Sequence, residues 1–403
     1  MKTIIILADG AADEPIAALG NKTPLQAAHK PYIDMLAAKG KNGELDTIPA
    51  GYKPGSEIAN LSVMGYDVPK VFEGRGSLEA ASMGVDILPE EMAMRCNLIC
   101  IEDGKIKNHS AGHISSEEAA ELIKFLDKEL NDGKVSFYPG VSYRHLLKLK
   151  GGNKDLDCTA PHDVTGTPFE EVLIKATTPE AKESADYLNA LILKSQELLK
   201  DHPINKKRIA EGKDPANSIW PWSPGYRPQM QTLQELYGIK SGSVISAVDL
   251  IMGIGVYAGL KLIHVEGATG LYDTNYEGKA EAAIEALKKD DFVYLHIEAS
   301  DEAGHEGDYN LKTKTIEYLD NRVVRLIYEA TKDWDEPITI AILPDHPTPC
   351  AIKTHTNKPV PFLIYRSNAK GDAVQVYDEF ESPKGEYGLI KGKEFMELLF
   401  SEK

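Results

Sequence analysis

Cysteine is scarce in this chain of 403 residues, which has only four thiols. They are Cys96, Cys100, Cys158 and Cys350, and they form no Cys-x-x-Cys pair. So few cysteines in a chain of this length argue against a disulfide framework and indicate reduced thiols in a cytoplasmic protein. The alternative, a zinc site at Cys96 and Cys100, is disfavoured because the chain has no second close pair of cysteines.

Long apolar runs are also missing. No stretch approaches the ~20 apolar residues that a membrane-spanning helix requires. The N-terminal apolar run covers only residues 4–7 and is followed by Asp9, so it is too short for a signal peptide and predicts a first β-strand. The chain has no tandem repeat and no low-complexity segment.

Positive charge is in deficit. Lys and Arg total 45 against 62 Asp and Glu, which gives a net charge of −17. Such a field repels nucleic acids and anionic membranes, so neither is an expected partner. An anionic substrate would need local neutralisation by metal ions or by a few well placed basic side chains. With 42% hydrophobic and 27% charged residues, the composition is that of a folded protein of two or three domains.

Strand-like and helical patterns alternate near both ends of the chain, which predicts an α/β fold. "TIIILADG" is typical of a buried strand, and we expect one helix over residues 23–40 behind it. Thr23 is the expected N-cap of this helix, Pro24 its first residue and Gly40 its end.

The middle of the chain has a different character. It holds two long helical patterns and then "PANSIWPWSPGYRP", residues 215–228, which we interpret as irregular because it is dense in proline and tryptophan. We therefore predict a discontinuous catalytic domain, residues 1–77 and 236–403, with a second α/β domain, residues 78–235, inserted into it.

Three predicted strands lead to acidic or imidazole side chains. The strands "IIILAD", "YLHIEASD" and "IAILPDH" end at Asp9, at Asp301, and at Asp345 with His346. One carboxylate after a strand more often caps a helix or turn. Three of them can converge, because the functional crevice of an open α/β sheet lies beyond the carboxyl ends of its strands.

Imidazoles accompany these carboxylates, since His305 and His355 follow closely in the chain. Oxygen and nitrogen ligands without thiolate suit Mn²⁺ or Zn²⁺, and their number predicts two ions ~4 Å apart. We interpret the segment after the strand as a loop, in which Gly304 and Gly307 let Asp301 and His305 face one ion. The alternative is that both histidines are structural or on the surface.

A serine stands in an unusual setting in "GYKPGSEIANLSVMGYD", residues 51–67. Ser56 begins a predicted helix that ends near Gly65, and a serine there is most often an N-cap. The functional alternative is that the helix end and an adjacent metal lower the pKa of the hydroxyl and make it a nucleophile towards phosphorus.

Other short stretches carry groups that could bind anions. An isolated Lys or Arg is usually a solvated surface charge, but basic groups in glycine-rich loops of an acidic chain are candidate phosphate or carboxylate clamps. The segments "NHSAGHI", "TAPHDVTGTP", "GVSYRHLL" and "GATGLYDTNYEGKA" contain His109, Ser110, His113, His162, Asp163, Thr165, Arg144 and Lys279.

Taken together, "ADG" at 8–10, "PGSEIANLSVMGYD", "DEAGHEGD" and "PDHPTP" with "KTHT" resemble the cofactor-independent phosphoglycerate mutases. The resemblance is greatest to their archaeal-type branch within the alkaline-phosphatase-like metalloenzyme superfamily, and the middle segments extend it over the full length. It implies an alkaline-phosphatase-like doubly wound sheet with two Mn²⁺ or Zn²⁺ ions and an inserted transferase domain. It also implies no requirement for 2,3-bisphosphoglycerate.

The resemblance further implies roles for single residues. Ser56 would be transiently phosphorylated, and Asp163 would move a proton between the two hydroxyls of glycerate. One ion would be held by Asp9, Ser56, Asp345 and His346, and the other by Asp301, His305 and His355. The substrate would be bound by His113, His162, Asp163, Lys279, Arg144 and Arg227.

The reaction that follows is the interconversion of 3-phosphoglycerate and 2-phosphoglycerate, an isomerase step of glycolysis. A metal-dependent phosphatase or phosphodiesterase of the same superfamily is the alternative, because it needs the same core without a water-excluding substrate domain. A non-catalytic metal-binding protein is the alternative of another class. A kinase is disfavoured, since no Gly-x-x-x-x-Gly-Lys pattern is present. The sequence favours neither a monomer nor a dimer.

Overall fold

The computed structural model describes residues 2–401 and consists of two compact units. The first unit is built from both ends of the chain, up to Phe72 and from Gln229 onward, and the second is Glu73–Pro228. Strands and helices alternate along the chain, so the predicted α/β class is confirmed. None of the helices within residues 2–401 combines the length and the hydrophobicity needed to cross a membrane.

The strands range in length from two to twelve residues. They are β1 Lys2–Ala8, β2 Lys41–Asp46, β3 Glu91–Glu102, β4 Lys105–Asn108, β5 Val135–Tyr138, β6 Arg144–Lys150, β7 Leu156–Asp157, β8 Lys175–Ala176, β9 Ser218–Gly225, β10 Gly242–Ile245, β11 Lys261–Ile263, β12 Phe292–Ile297, β13 Ile338–Leu343, β14 Val360–Arg366 and β15 Gly388–Lys391.

The α-helices are mostly short. They are α1 Pro24–Ala27, α2 Pro31–Lys39, α3 Ser56–Val63, α4 Val68–Val71, α5 Arg75–Ser82, α6 Ser116–Leu130, α7 Lys182–Leu199, α8 Pro203–Ala210, α9 Leu233–Tyr237, α10 Asp249–Tyr257, α11 Tyr276–Leu287, α12 Ala299–Glu306, α13 Tyr309–Tyr318, α14 Arg325–Thr331 and α15 Glu394–Ser401. A π-helical turn, Leu319–Val324, joins α13 to α14.

The first unit is organised around an eight-stranded sheet with the order β11-β10-β12-β1-β13-β14-β2-β15. The first five strands in this spatial order, from β11 through β1 to β13, run parallel to one another. Strand β14 is antiparallel to both of its neighbours. Ile4, Ile5, Ile6 and Leu7 of β1 are fully buried, which is expected of a central parallel strand covered on both faces. The carboxyl ends of β12, β1 and β13 therefore lie side by side at one edge of the sheet.

The predicted helix over residues 23–40 is interrupted, so that prediction is wrong in its middle. Thr23 does cap α1, accepting a hydrogen bond from the Gln26 amide at 3.1 Å. The backbone then becomes extended at Ala28, and Pro31 begins α2. Proline has no amide hydrogen and disfavours helical geometry in the residue before it, so the pattern divides into two helices.

The second unit has a five-stranded antiparallel sheet with β3 at its centre. Residues 215–228, which we expected to be irregular, contain β9, which pairs with β3 over residues 93–99. Pro221 and Pro224 are tolerated because β9 has only one partner strand within residues 2–401, and an edge strand can lose donors on its free side. Trp220 packs from β9 into the core of this unit.

Asp320 on the π-helical turn holds the beginning of α2. Its Oδ1 accepts a hydrogen bond of 2.7 Å from the Ile33 amide, and the carboxyl group is buried. Burial raises the pKa of Asp320 to about 6, although the hydrogen bonds from backbone amides act in the opposite direction. A carboxyl group whose pKa is raised on folding stabilises the folded state below its unfolded pKa, and this contribution is lost as the pH rises through the folded pKa.

We therefore expect the free energy of unfolding of the native protein to fall, relative to that of Asp320→Asn, by about 3 kcal/mol as the pH rises from about 4 to 7. Urea unfolding at several pH values measures this difference. Asp186→Asn, which removes an exposed carboxylate of α7, is the control substitution. Parallel profiles of the native protein and Asp320→Asn would contradict the expectation.

Candidate functional site

The parallel strands bring together a first group of three buried side chains. Asp9 follows β1, while Asp345 and His346 follow β13. His346 Nε2 lies 3.3 Å from Asp345 Oδ2 and 3.7 Å from Asp9 Oδ1. One ligand atom from each residue lies within 4.8 Å of the others, so the three could hold a single metal ion.

Ser56 lies beside this group. It is the first residue of α3, whose N-cap is Gly55, and its hydroxyl caps nothing. Its Oγ instead lies 3.1 Å from His346 Nε2, and the residue is half-buried. The N-cap interpretation of Ser56 is therefore wrong, because the side chain points towards the buried carboxylates and imidazole rather than back along its own helix.

Asn60, one turn after Ser56, fixes α3 against the sheet. Its Nδ2 donates to Asp345 Oδ2 at 2.9 Å and to the Ser56 carbonyl at 2.8 Å. Tyr294 of β12 donates to Asn60 Oδ1 at 2.5 Å. The N-terminus of α3 is thereby held at a fixed distance from a candidate metal ligand.

A second group is formed by Asp301, His305 and His355. His305 Nε2 lies 3.3 Å from Asp301 Oδ2, and His355 Nε2 lies 3.4 Å from Asp301 Oδ1. The two imidazole nitrogens are 2.9 Å apart. The ring of His346 stacks on that of His355 with centroids 3.8 Å apart, so the two groups are adjacent.

The segment that presents Asp301 and His305 is a helix, and its interpretation as a loop is wrong. Asp301 and His305 lie four residues apart on α12, which places them on one face. A Cβ on Gly304 would lie 2.4 Å from the Thr348 carbonyl oxygen, so glycine is needed for close packing rather than for a turn. Only Gly307, with φ +76°, ends the helix in the left-handed conformation.

The electrostatics of the first unit favour a cation here. Burial raises the pKa of Asp9 well above its ordinary value, and the neighbouring carboxylates of Asp345 and Asp301 raise it further. Burial would also raise the pKa of Asp301, but hydrogen bonds from His305 and His355 outweigh it and lower the pKa. The hydrogen bond between Asp301 and His305 also raises the pKa of His305 to about 9.

The donor set fits divalent metal ions. Asp9 Oδ1 is buried and has no hydrogen-bond donor within residues 2–401. The remaining candidate ligand atoms are carboxylate oxygens, imidazole nitrogens and one hydroxyl, a donor set that suits divalent ions such as Mn²⁺ or Zn²⁺. A cation placed among them would offset the repulsion that raises the pKa of Asp9.

Gly10 allows the loop after β1 to pass this close to α12. Its φ is +60°, and its amide donates to Asp345 Oδ1 at 3.2 Å. A Cβ there would lie 2.5 Å from Asp301 Oδ1 and 2.6 Å from Thr348 Oγ1. Both the backbone conformation and the lack of space therefore require glycine.

Lys312 of α13 is a buried residue that the sequence did not indicate. Its Nζ donates to Asp13 Oδ2 at 2.9 Å, to the Ala12 carbonyl at 3.1 Å and to the Thr348 carbonyl at 2.9 Å. It thus joins the loop that carries Asp9 to the loop that carries His346.

The second unit contains a separate cluster of rings from predicted residues. His109 lies 5.6 Å from Tyr143 and 6.0 Å from His162 between ring centroids, and His113 lies 6.5 Å from Tyr143. His162 also contacts Trp222 edge to face at 5.5 Å. Asp163 is exposed, and its carboxylate lies 3.6 Å from His162 Nε2.

Guanidinium groups adjoin these rings. Arg144 stacks on Tyr143 at 5.6 Å, and Arg95 stacks on Trp222 at 4.3 Å. Burial lowers the pKa of Arg95, and the nearby charges of Arg75 and Arg144 lower it further, although Glu79 opposes this. Sequence reasoning missed Arg75 and Arg95; the signal for Arg95 was a charged residue inside the apolar run "EMAMRCNLIC".

Two predicted substrate-binding residues lie in other surroundings. Arg227 is ion-paired with Asp86. Lys279 is fully buried in the first unit, where its Nζ donates to Glu298 Oε2 at 2.5 Å and to the His296 carbonyl at 3.2 Å. Its ammonium group is thus directed into the core of the first unit.

Comparison with known proteins gives a consistent result. The family described as 2,3-bisphosphoglycerate-independent phosphoglycerate mutase matches residues 37–205. Relatives of that name from Methanosarcina acetivorans and Methanosarcina barkeri are each 52% identical, and the alignments cover 99% and 100% of both chains respectively.

Two solved structures are also similar. A protein of Pyrococcus horikoshii is 32% identical, with a TM-score of 0.83 over 99% of this chain and 96% of that one. The cofactor-independent phosphoglycerate mutase of Thermoplasma acidophilum is 28% identical, with a TM-score of 0.69 over 100% of this chain and 99% of that one.

We expect Gly10→Ala to lower the free energy of unfolding by about 2–5 kcal/mol, because it adds left-handed backbone strain to an overlap with Asp301 and Thr348. Thermal unfolding and the affinity for Mn²⁺ measure the effect. Gly20→Ala is the matched control: its φ is +69°, but no atom lies within 4 Å of the added Cβ. Equal effects of the two substitutions would show that crowding at the carboxylates is unimportant.

Proposed function

The chain belongs to the 2,3-bisphosphoglycerate-independent phosphoglycerate mutases, and from this premise we propose that it interconverts 3-phosphoglycerate and 2-phosphoglycerate through a phosphoserine at Ser56. The observation that carries the proposal is the position of Ser56 Oγ, 3.1 Å from His346 Nε2 among the buried carboxylates. A serine at a helix N-terminus beside such a group has the setting of an activated nucleophile.

We assign two divalent ions, Mn²⁺ or Zn²⁺, to the two groups of side chains. Their adjacency and their oxygen and nitrogen donors support this assignment. One ion would be held by Asp9, Ser56, Asp345 and His346, and the other by Asp301, His305 and His355. When bound, the ions would supply positive charge that lowers the pKa of the serine hydroxyl and neutralises the transferring phosphoryl group.

Ser56 then carries the phosphoryl group between the two hydroxyls of glycerate. Its Oγ forms a bond to phosphorus as the bond from phosphorus to the first glycerate oxygen breaks. The backbone amides at the start of α3, beside Ser56, would stabilise the negative charge of the phosphoryl oxygens. Attack by the second glycerate hydroxyl reverses the step, and the phosphoserine returns to serine.

The second unit supplies the substrate-binding groups in this proposal. Asp163 is assigned the proton transfer between the two glycerate hydroxyls, supported by its exposure and by its proximity to His162. His113, His162 and Arg144 are assigned to the anionic groups of glycerate, supported by their place in one cluster with Arg95. Because water would hydrolyse the phosphoserine, exclusion of water separates a mutase from a phosphatase.

Incubation with 3-phosphoglycerate and Mn²⁺, coupled to enolase, tests the reaction. We expect 2-phosphoglycerate to form without added 2,3-bisphosphoglycerate, and chelation of the metal to abolish it. Release of free phosphate without 2-phosphoglycerate would favour the phosphatase alternative.

Ser56→Ala should lower turnover by at least about 10³-fold, because no other group takes over a lost nucleophile. Mass spectrometry after brief exposure to 3-phosphoglycerate should find phosphate on Ser56 of the native protein. Ser62→Ala changes a buried serine of the same helix and should keep both the phosphoserine and the turnover. A phosphorylated Ser56→Ala protein with native turnover would refute the assignment.

A further inference from the structure

A chain of buried polar groups extends from Asp9 into the core of the first unit. It consists of His296, Glu298, Ser246 and Lys279, which are between 0% and 6% exposed. The proposed reaction uses none of the first three, and the ammonium group of Lys279 makes its contacts inside the core. Buried charges are unfavourable unless they are paired and hydrogen-bonded, so this arrangement needs an explanation.

His296 makes the contact with Asp9. It lies on β12 and is paired with Leu7 of the parallel strand β1. Leu7 precedes Asp9 by two residues. Its Nε2 lies 2.9 Å from Asp9 Oδ2, and its Nδ1 lies 3.1 Å from Glu298 Oε1. Both ring nitrogens therefore face carboxylates, which prevents the ring from turning away from Asp9.

Glu298 is in turn held on both of its oxygens. Oε1 accepts from the Ala247 amide at 2.9 Å and from Ser246 Oγ at 3.1 Å. Oε2 accepts from Lys279 Nζ at 2.5 Å. Lys279 also donates to the His296 carbonyl at 3.2 Å, so one ammonium group ties the carboxylate and the histidine backbone together.

The two oxygens of Asp9 are left in different situations. Oδ2 is bound to His296, whereas Oδ1 is buried without a hydrogen-bond donor in the part of the chain that the structure describes. Oδ1 faces His346, with 3.7 Å between it and Nε2. A histidine or carboxylate partner of this kind orients a metal ligand and tunes its affinity.

We propose that His296 is a positioning residue that anchors Asp9 Oδ2 and leaves Oδ1 as the metal ligand, with Glu298 and Lys279 fixing its ring. Lys279 acts in this arrangement through a buried ion pair and does not contact the substrate. The inference rests on the metal assignment of the proposed function, and it adds the residues that orient the ligand.

Binding of Mn²⁺ to metal-stripped, full-length protein tests the proposal without measuring activity. Free Mn²⁺ is followed by electron paramagnetic resonance during titration. In His296→Asn the amide is too short to reach Asp9, so we expect one of two binding steps to weaken by about 10–100-fold. In His296→Gln the amide has the reach of Nε2, so we expect affinity close to that of the native protein.

The outcomes separate this inference from the proposed function. A native protein that binds neither Mn²⁺ nor Zn²⁺ would overturn both. Native binding of two ions that His296→Asn leaves unchanged, or weakening that His296→Gln fails to rescue, would overturn the positioning role alone. His145→Gln alters a buried histidine of the second unit and should bind Mn²⁺ like the native protein. If it weakens Mn²⁺ binding as much as His296→Asn does, the weakening reflects a general loss of stability and the positioning role is overturned.

Lys279 is tested with a paired substitution, because Lys279→Met alone leaves Glu298 buried and uncompensated. Lys279→Met/Glu298→Gln removes both charges at similar shape and should fold. We expect its KM for 3-phosphoglycerate to stay within about threefold of the native value while kcat falls, since no substrate contact has been lost. A KM raised by about 30-fold or more would show that Lys279 binds the substrate.

Discussion

Repulsion among the carboxylates of Asp9, Asp301 and Asp345 is the constraint on which the first unit depends. Three parallel strands bring these groups to one edge of the sheet, where burial and mutual proximity raise the pKa of Asp9. The arrangement is stable with its carboxylates ionised only if positive charge is supplied locally. The contacts around the edge can be understood as ways of supplying that charge or of holding each oxygen in place.

Other residues contact the candidate ligands and hold their oxygen atoms in place. Asn60 connects Asp345 to the start of α3, and Thr348 Oγ1 donates to Asp301 Oδ1. Lys312 adds a buried ammonium group to the contacts that join the loop after β1 to the loop after β13. Because each contact fixes a loop that follows a strand, the scaffold transmits the rigidity of the sheet to side chains that lie beyond it.

Much of this edge was predictable from the sequence, because the information is local. A strand pattern followed by aspartate or histidine places the side chain at the carboxyl end of the strand, as at Asp9 and Asp345. The helical form of α12 was not predictable in this way. Gly304 and Gly307 both suggest a turn by local propensity, but at Gly304 the packing against Thr348 decides, and packing is a tertiary property.

The same distinction explains the other differences. The prolines of β9 indicate irregular backbone until it is known that the strand has one partner. The convergence of Arg75 and Arg95 with Arg144 depends on which strands and helices become neighbours. Lys279 follows a glycine-rich stretch that suggests an exposed loop, yet it lies in the first turn of α11 and is directed inward.

The shared position of His346 has a thermodynamic consequence. Its Nε2 is within reach of Asp9 and Asp345, and the same residue also belongs to the group formed with Asp301 and His355. A neutral imidazole ring has one nitrogen lone pair free for a metal, so an ion among Asp9, Asp345 and His346 would compete for the ring with an ion that used it together with Asp301 and His355. Linkage then requires that occupancy of either group changes the affinity of the other by the same factor.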